Sequence, residues 1–317
     1  MTDTKQLPSA LSEVIDQFRR WSDDHSDSEQ KKHTITEPLY HYTDGRGLKG
    51  IIESQTIWFT DYRHLNDPSE LSYGIEKARD LMSQKETGAD AGGRAFLQCL
   101  RDMLLPKNIS WLQCFIASFS RDRDELGQWR AYADNGRGYA LGLQARVFTD
   151  LSRHSNVLIS PVFYDTTNIL NRHSLVIDQG FARFLDAVDK NHTLLTKEPD
   201  VLNEFRQKLC DILASDVILN CLTSKHNAYK SEKEVRLIIV GTGDTSRIRT
   251  RLRGSEIVPY IAYDLAVRSP QTILEIVTGP AAGTDAPRTV RTMLSSLKVE
   301  DHHKILVNPS EIPYRAL

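Results

Sequence analysis

The chain has 317 residues, of which 40% are hydrophobic and 26% charged, and its formal net charge at pH 7 is -2. This composition is typical of a globular protein with a sizeable core, and the nearly balanced charge excludes a global attraction to polyanions. No long apolar run indicates a membrane span, and no secretory signal or CxxC pair is evident. We therefore expect a cytoplasmic protein with reduced cysteines and no membrane partner.

Residues 1–36 are polar and predict an N-terminal helix, clearest at 11–21, and then a linker, whereas 37–317 predict a single α+β domain. Strands are short and do not alternate regularly with helices, which argues against a doubly wound sheet. Up to residue 144, the patterns predict strands at 39–43, 57–61, 114–120 and 138–144 and helices at 47–54, 69–84, 94–104 and 125–133. Beyond it they predict strands at 157–165, 234–241, 257–266 and 275–280 and helices at 174–190, 200–222 and 289–297. Extended chain is predicted at 304–309 and 311–315.

A glycine motif follows the first predicted strand. Gly45, Gly47 and Gly50 match G-x-G-x-x-G, which in a dinucleotide-binding fold places a pyrophosphate on a helix N-terminus. The next strand ends at Asp61, however, which leaves too little chain for a full crossover helix. We therefore interpret the stretch as a short helix capped by Asp44.

Histidine and serine lie within two predicted strands. His41 shares a strand face with Leu39 and Thr43, while Ser118 and Ser120 alternate at the end of an apolar strand. Each has an ordinary explanation, because a half-buried histidine commonly finds a partner and serines initiate turns. Pro161 interrupts a later strand and predicts an edge position or a bulge.

The segment after Ser120 is rich in groups that bind ligands. Trp129 and Tyr132 lie three residues apart on one face of a predicted helix, so they could stack on a ligand ring. On its own this spacing favours core packing for both residues, because aromatic residues dominate protein cores.

The stretch SEKEVRLIIV places Glu232, Glu234 and Arg236 at every second position before an apolar strand. Two ionised carboxylates are costly to bury unless each is paired, and Arg236 is the partner expected on the same face. The pattern predicts either a charge ladder at a sheet edge or a functional carboxylate whose pKa its neighbours adjust.

One local basic feature stands out, because four arginines alternate in SRIRTRLRGS. This arrangement predicts a solvated strand face or a site for phosphate or nucleic acid. No metal-binding, phosphate-loop or nucleophile-elbow motif is present, so we expect no metal site. The arginines are Arg247, Arg249, Arg251 and Arg253.

Taken in order, LYHYT, IWFTD with LNDPSE, FSRDRDELGQWRAYADNGRGYALG, YKSEKEVRLI, EIVTGP and SEIPYR resemble a bacterial family known as domain of unknown function 2971. The resemblance extends from Pro38 to the C-terminus. That family in turn is similar to the ADP-ribosyltransferases, in which a first strand carries His or Arg, a middle strand a hydroxyl or aromatic group, and a late strand a catalytic Glu, often as E-x-E. Phe119 departs from the S-T-S pattern of the middle strand.

The resemblance implies an ADP-ribosyltransferase-like split mixed or antiparallel sheet with helical insertions. It implies an NAD-dependent transferase or NAD glycohydrolase, such as a toxin or phage-defence effector, that modifies a protein or nucleic acid. Glu234 and Glu232 would then be catalytic, with Arg236 keeping them ionised. The NAD-binding residues that it implies are His41, Thr43, Asn66, Ser118, Ser120, Trp129, Tyr132 and Arg236.

Two other hypotheses stay open. The protein could be a non-catalytic module that binds a nucleotide or nucleic acid through the arginine-rich strand. Alternatively, Glu232, Glu234 and Asp67 could form a metal-assisted nuclease site.

Overall fold

A computed structural model of the chain describes residues 7–65, 70–109, 112–154, 157–241, 245–264 and 272–316. The chain divides into two compact units. The helical unit comprises Met1–Lys32, Asp67–Leu112 and Phe163–Asn227, and the sheet unit comprises His33–Asn66, Gln113–Val162 and Ala228–Leu317. The single domain expected from residue 37 stays a prediction.

Six helices of the helical unit lie within the described residues, and the unit's core is built from their apolar faces. Phe184 lies at the centre, with ring centroids 4.6 Å from Phe96 and 5.9 Å from Phe205. The helices are α1 (Ser9–Lys32), α3 (Glu70–Glu86), α4 (Ala91–Met103), α7 (Thr166–Lys190), α8 (His192–Lys197) and α9 (Pro199–Leu222). None of the described helices is long and apolar enough to cross a membrane.

The N-terminal segment is more regular than its sequence predicts. Helix α1 continues through the polar stretch that lacks an apolar period, so the linker is confined to the few residues before the first strand. Buried Leu11, Ile15 and Phe18 fix its first half. The second half is supported by a tertiary contact, in which Ser22 Oγ donates to Asp216 Oδ1 at 2.7 Å, and by stacking of Trp21 on His25 within the helix.

The sheet unit contains ten strands, mostly antiparallel, and four helices within the described residues. The predicted α+β class is therefore confirmed. The helices are α2 (Gly45–Ser54), α5 (Leu126–Tyr132), α6 (Ala145–His154) and α10 (Ala286–Ser296). The strands are β1 (Leu39–Thr43), β2 (Thr56–Asp61), β3 (Cys114–Ser120), β4 (Tyr139–Leu143), β5 (Leu158–Pro161), β6 (Glu234–Val240), β7 (Ile248–Arg253), β8 (Glu256–Asp264), β9 (Ile273–Thr278) and β10 (Leu306–Pro309).

Strand β3 is the branch point of the sheet. One of its edges pairs with β6 from Cys114 to Ser120, and β5 continues the sheet beyond β6 as an edge strand that ends at Pro161. The other edge carries two strands at different heights, because β2 pairs at Phe115 and Ile116 while β1 pairs at Ser120. Two arms diverge from this edge, one through β1, β4, β9 and β10 and the other through β2, β8 and β7.

Between the two arms, β3 residues 117–119 have no strand partner on that edge among the described residues. We call this opening the sheet fork. Strands β1 and β2 border the fork. Both pair with the same edge of β3, but at different positions along it. The strand register produces the fork. Strand β6 pairs with one edge of β3 along its whole length, so β1 and β2 must share the other edge, and the residues between their pairing positions have no strand partner there.

The two faces of the sheet differ in composition. One face buries a large apolar core that includes Phe59, Phe115, Phe119 and Leu237 and is covered partly by α2, α6 and α10. The opposite face carries Tyr40, Ser120 and Glu234 in one row across β1, β3 and β6. Because side chains alternate along each strand, the polar residues of the sequence motifs collect on this second face.

Candidate functional site

The polar face contains a buried ion pair at the start of β6. Glu234 and Arg236 are 7% and 2% exposed. Arg236 donates from Nε to Glu234 Oε1 at 2.8 Å and from Nη2 to Oε2 at 3.1 Å. This two-pronged geometry is the strong form of a carboxylate–guanidinium contact, and it confirms the predicted pairing of these two residues.

Glu232 does not share the strand face, so this part of the prediction is wrong. A 3-10 turn covers Asn227–Glu232, and Lys233 adopts a positive φ of 42° before β6 begins at Glu234. The left-handed residue breaks the period-2 alternation on which the prediction depended. Glu232 is nevertheless buried, and its Oε1 accepts a hydrogen bond from the Tyr132 hydroxyl at 3.0 Å.

Ser120 links the loop after β3 to the turn before β6. Its Oγ donates to the backbone carbonyl of Glu232 at 2.8 Å and accepts from the backbone N–H of Asp122 at 3.0 Å. Lys233 Nζ donates to Asp122 Oδ1 at 2.9 Å. The β3–α5 loop is therefore fixed against the chain that carries both glutamates, which pre-organises the site.

His41 lies in the sheet fork. By strand alternation its side chain leaves β1 on the face opposite Glu234, and its ring contacts Phe119 at a centroid distance of 5.5 Å. Nδ1 is 3.0 Å from the carbonyl oxygen of Ser118, which can only accept, so Nδ1 carries the proton. Burial lowers the pKa of His41, and the charge of Arg251 lowers it further. The ring is therefore neutral at pH 7 and offers Nε2 as an acceptor.

The two candidate aromatic residues of α5 differ. Tyr132 reaches Glu232, as described above. Trp129 is fully buried, packs edge-on against Tyr42 at 4.9 Å and donates from Nε1 to Asp124 Oδ1 at 2.6 Å. Its ring faces are thus enclosed by protein, so core packing describes Trp129 and a stacking role on a ligand does not.

Of the remaining predicted residues, Ser118 neighbours the ion pair, Thr43 lies apart from it and Asn66 is outside the described residues. Ser118 pairs with Arg236 across β3 and β6. Thr43 ends β1 beside α2, where a Cβ on Gly47 would lie 1.9 Å from the Thr43 Oγ1. Asp44 caps this helix by accepting from the Gly47 N–H at 2.7 Å, which confirms the interpretation of the glycine motif. Asn66 and Asp67 lie outside the described residues.

Arg251 is a residue whose environment the sequence did not reveal. It is half-buried on β7, donates from Nη2 to Thr60 Oγ1 at 3.0 Å and lies over the Trp58 ring at 5.1 Å. Within the described residues no carboxylate forms a salt bridge with it, whereas Arg253 on the same strand pairs with Glu256. The alternating arginines suggested a uniform edge, yet the structure separates a paired arginine from one without an acidic partner.

A second charged cluster lies on the polar face at β9. Glu275 is 5% exposed and accepts from Tyr40 Oη at 2.9 Å and from Arg123 Nε at 3.0 Å. Gly142 makes room for it, since a Cβ there would lie 2.8 Å from the Tyr40 ring. Sequence reasoning missed this cluster because its members are far apart in the chain and belong to no local motif. No group of three or more His, Cys, Asp or Glu side chains suited to a metal ion occurs in the part of the chain that the structure describes.

The geometry defines an α+β protein with a forked sheet and buried, paired carboxylates on one face. Residues 128–237 match the family described as a protein of unknown function, DUF2971. The matched segment contains Tyr132, Glu232, Glu234 and Arg236, but neither β1 nor β3. The resemblance expected from Pro38 onwards is thus supported over this segment. Comparison with curated proteins and with solved structures gives no match.

Proposed function

We propose that the protein is an NAD-consuming enzyme of the ADP-ribosyltransferase-like type that acts in the cytoplasm. It cleaves the bond between nicotinamide and ribose and transfers ADP-ribose to a protein, a nucleic acid or water. The observation that carries the proposal is the adjacency of β1, β3 and β6, the three strands that bear the His, Ser and Glu elements. These elements are distant in sequence, so their alignment on neighbouring strands is not a consequence of local pattern.

The proposed chemistry assigns a separate task to each side chain. When the C–N bond breaks, its electron pair stays on the nicotinamide nitrogen and positive charge develops on the ribose. The Glu234 carboxylate stabilises this charge in the transition state, and Arg236 holds the carboxylate in one orientation. A nucleophilic group of the acceptor then forms a bond to the ribose carbon, and Glu232 takes the proton that this group loses. His41 lies on the opposite face of β1, where its Nδ1–H donates to the Ser118 carbonyl and supports β3, so it takes no direct part in this chemistry.

The test measures nicotinamide release and transfer of label from radioactive NAD in the presence of cell lysate. We expect Glu234→Gln to lower turnover at least 100-fold, as for loss of a group that acts in the transition state. Glu275→Gln is the matched control, because it makes the same change at a similarly buried carboxylate on the same face. Urea unfolding of both variants shows whether each remains folded.

Two results would reject the proposal. One is a wild-type protein that releases no nicotinamide and labels no protein, nucleic acid or free ADP-ribose. The other is an equal loss in the folded Glu234→Gln and Glu275→Gln variants, which would indicate a general effect of removing a buried charge rather than a role in chemistry.

A non-catalytic nucleotide-binding module is the second candidate function. Arg251 favours it, because a half-buried guanidinium without a carboxylate partner among the described residues suits an anionic ligand. If the protein only binds nucleotides, Glu234→Gln should bind NAD with the same affinity as the wild type. NAD incubated for a long time with the wild type should then be recovered intact. A toxin or phage-defence role is compatible with the enzyme and stays a prediction.

A further inference from the structure

We infer that Arg251, Thr60 and Trp58 form a subsite for a diphosphate group on the β2–β8–β7 arm of the sheet fork. The identification of the ligand as a nucleotide rests on the proposed function. The anion site itself rests on the contacts of Arg251 and is tested by binding alone.

The guanidinium of Arg251 is held in place but is not neutralised. A guanidinium carries five N–H donors, and the Thr60 Oγ1 is the one acceptor that the described residues provide, at 3.0 Å. The Trp58 ring supports the planar group from one side at 5.1 Å. The side chain has therefore already lost much of its freedom, while most of its N–H groups stay available for a ligand. The paired N–H groups of a guanidinium can bind two phosphate oxygens at once.

Burial makes this charge unusual on its strand. The Arg249 side chain is exposed and makes no hydrogen bond or ion pair with the described residues, and Arg253 is paired with Glu256 at 2.7 Å. Arg251 alone combines partial burial with the lack of an acidic partner in the described chain. A partly desolvated cation without a counter-ion is costly to keep, and an anionic ligand would offset that cost.

The surroundings favour a nucleotide over a nucleic acid. Trp58 is 38% exposed and its ring lies 4.4 Å from that of Tyr260, so part of a rigid aromatic surface is open beside the cation. The charge of Arg251 also acts on His41, whose ring occupies the fork. Only one unpaired cation is partly buried on this arm of the described chain, whereas a nucleic-acid surface needs several phosphate contacts.

The experiment titrates inorganic pyrophosphate into the full chain by calorimetry. We expect Arg251→Gln to weaken binding at least tenfold and Arg251→Lys to weaken it by an intermediate factor, because lysine keeps the charge but not the planar fork. Arg249→Gln is the matched control and should change the Kd less than threefold. Pyrophosphate should also quench tryptophan fluorescence in the wild type, and Trp58→Phe should remove that signal.

Three outcomes overturn the subsite. Absence of pyrophosphate binding to the wild type would do so, as would equal weakening by Arg249→Gln and Arg251→Gln. Tighter binding of a single-stranded oligonucleotide than of pyrophosphate, with equal dependence on both arginines, would identify a nucleic-acid surface instead. If pyrophosphate binds through Arg251 but NAD is never cleaved, the subsite stands and the proposed function fails. If wild type and Arg251→Gln cleave NAD with equal kcat/KM, the assignment of this anion site to the nucleotide fails while the proposed function stands.

Discussion

Two buried carboxylates of the sheet unit are paired, whereas two buried ionisable groups of the helical unit are not. In the sheet unit, Glu234 is paired with Arg236, and Glu275 accepts from both Tyr40 and Arg123. In the helical unit, both ring nitrogens of His173 and the Oδ2 of Asp216 are buried without a hydrogen-bond partner among the described residues.

This difference predicts different sensitivities. A compensated pair is sensitive to the loss of one partner, because the other is then buried as an unpaired charge. An uncompensated group has instead shifted its pKa towards the neutral form, so its cost appears as a dependence of stability on pH. The sheet unit should therefore respond mainly to mutation and the helical unit mainly to pH.

The largest effect is expected from breaking the pair in the sheet unit. Arg236→Met leaves Glu234 buried without its guanidinium partner and should lower the free energy of unfolding by about 3–5 kcal/mol. The double variant Glu234→Gln/Arg236→Met removes both charges and should recover most of this loss. Urea unfolding of the wild type and both variants at pH 7 measures the difference.

The double variant is the decisive control for the comparison. If it is as unstable as Arg236→Met, the cost comes from packing around the long arginine side chain and not from an uncompensated carboxylate. The two units would then not differ in the way described.

A smaller effect, with a defined pH window, is expected at Asp216 on α9. Burial raises the pKa of Asp216 from 3.8 to about 6, and the nearby charge of Asp23 adds to the shift. Because the folded protein then binds the proton more tightly than the unfolded chain, stability falls as pH rises from about 4 to about 6 and is constant above that range.

Asp216→Asn removes this penalty while keeping an acceptor for the Ser22 hydroxyl. The variant should match the wild type near pH 4 and exceed its stability at pH 7 by at most about 3 kcal/mol. Hydrogen exchange of the α9 amides, followed from pH 4 to 7 with correction for intrinsic exchange rates, measures the local free energy. An advantage that is the same at both ends of the range would contradict a titrating carboxyl.

Much of the fold was predictable because it depends on local patterns. Alternating apolar residues gave the strands, and the Asp44 cap gave the start of α2. Helices α6 and α8 were missed. They are short, and short apolar segments do not separate helix from strand or loop by period alone.

The candidate site was predictable only in part. The pairing of Glu234 with Arg236 follows from their spacing, whereas the turn that removes Glu232 from the strand depends on the backbone of one residue, Lys233. The fork around His41 and the carboxylate cluster at Glu275 depend on which strands become neighbours. Those neighbours are set by long-range register, which a single sequence does not encode in any local signal.

His173 on α7 provides the finest test of the comparison, because its pH dependence has the opposite sign to that of Asp216. Burial lowers the pKa of His173 from 6.5 to about 3, and the charge of Arg172 lowers it further. Below about pH 6.5, His173 is protonated in the unfolded chain but stays neutral in the folded protein. The free energy of unfolding therefore falls as the pH decreases from about 6.5. At pH 5 this loss is about 2 kcal/mol.

His173→Leu removes the titrating ring, so its stability relative to the wild type should rise by about 2 kcal/mol between pH 7 and pH 5. His192→Leu makes the same change at an exposed position of the helical unit and controls for residue type. Between pH 4 and 6 the slopes from His173 and Asp216 oppose each other and partly cancel in the wild type. Each single variant should therefore show a steeper pH dependence of α7 and α9 hydrogen exchange than the wild type, in opposite directions. A double variant that is as steep as either single variant would show that other groups dominate the pH response of this unit.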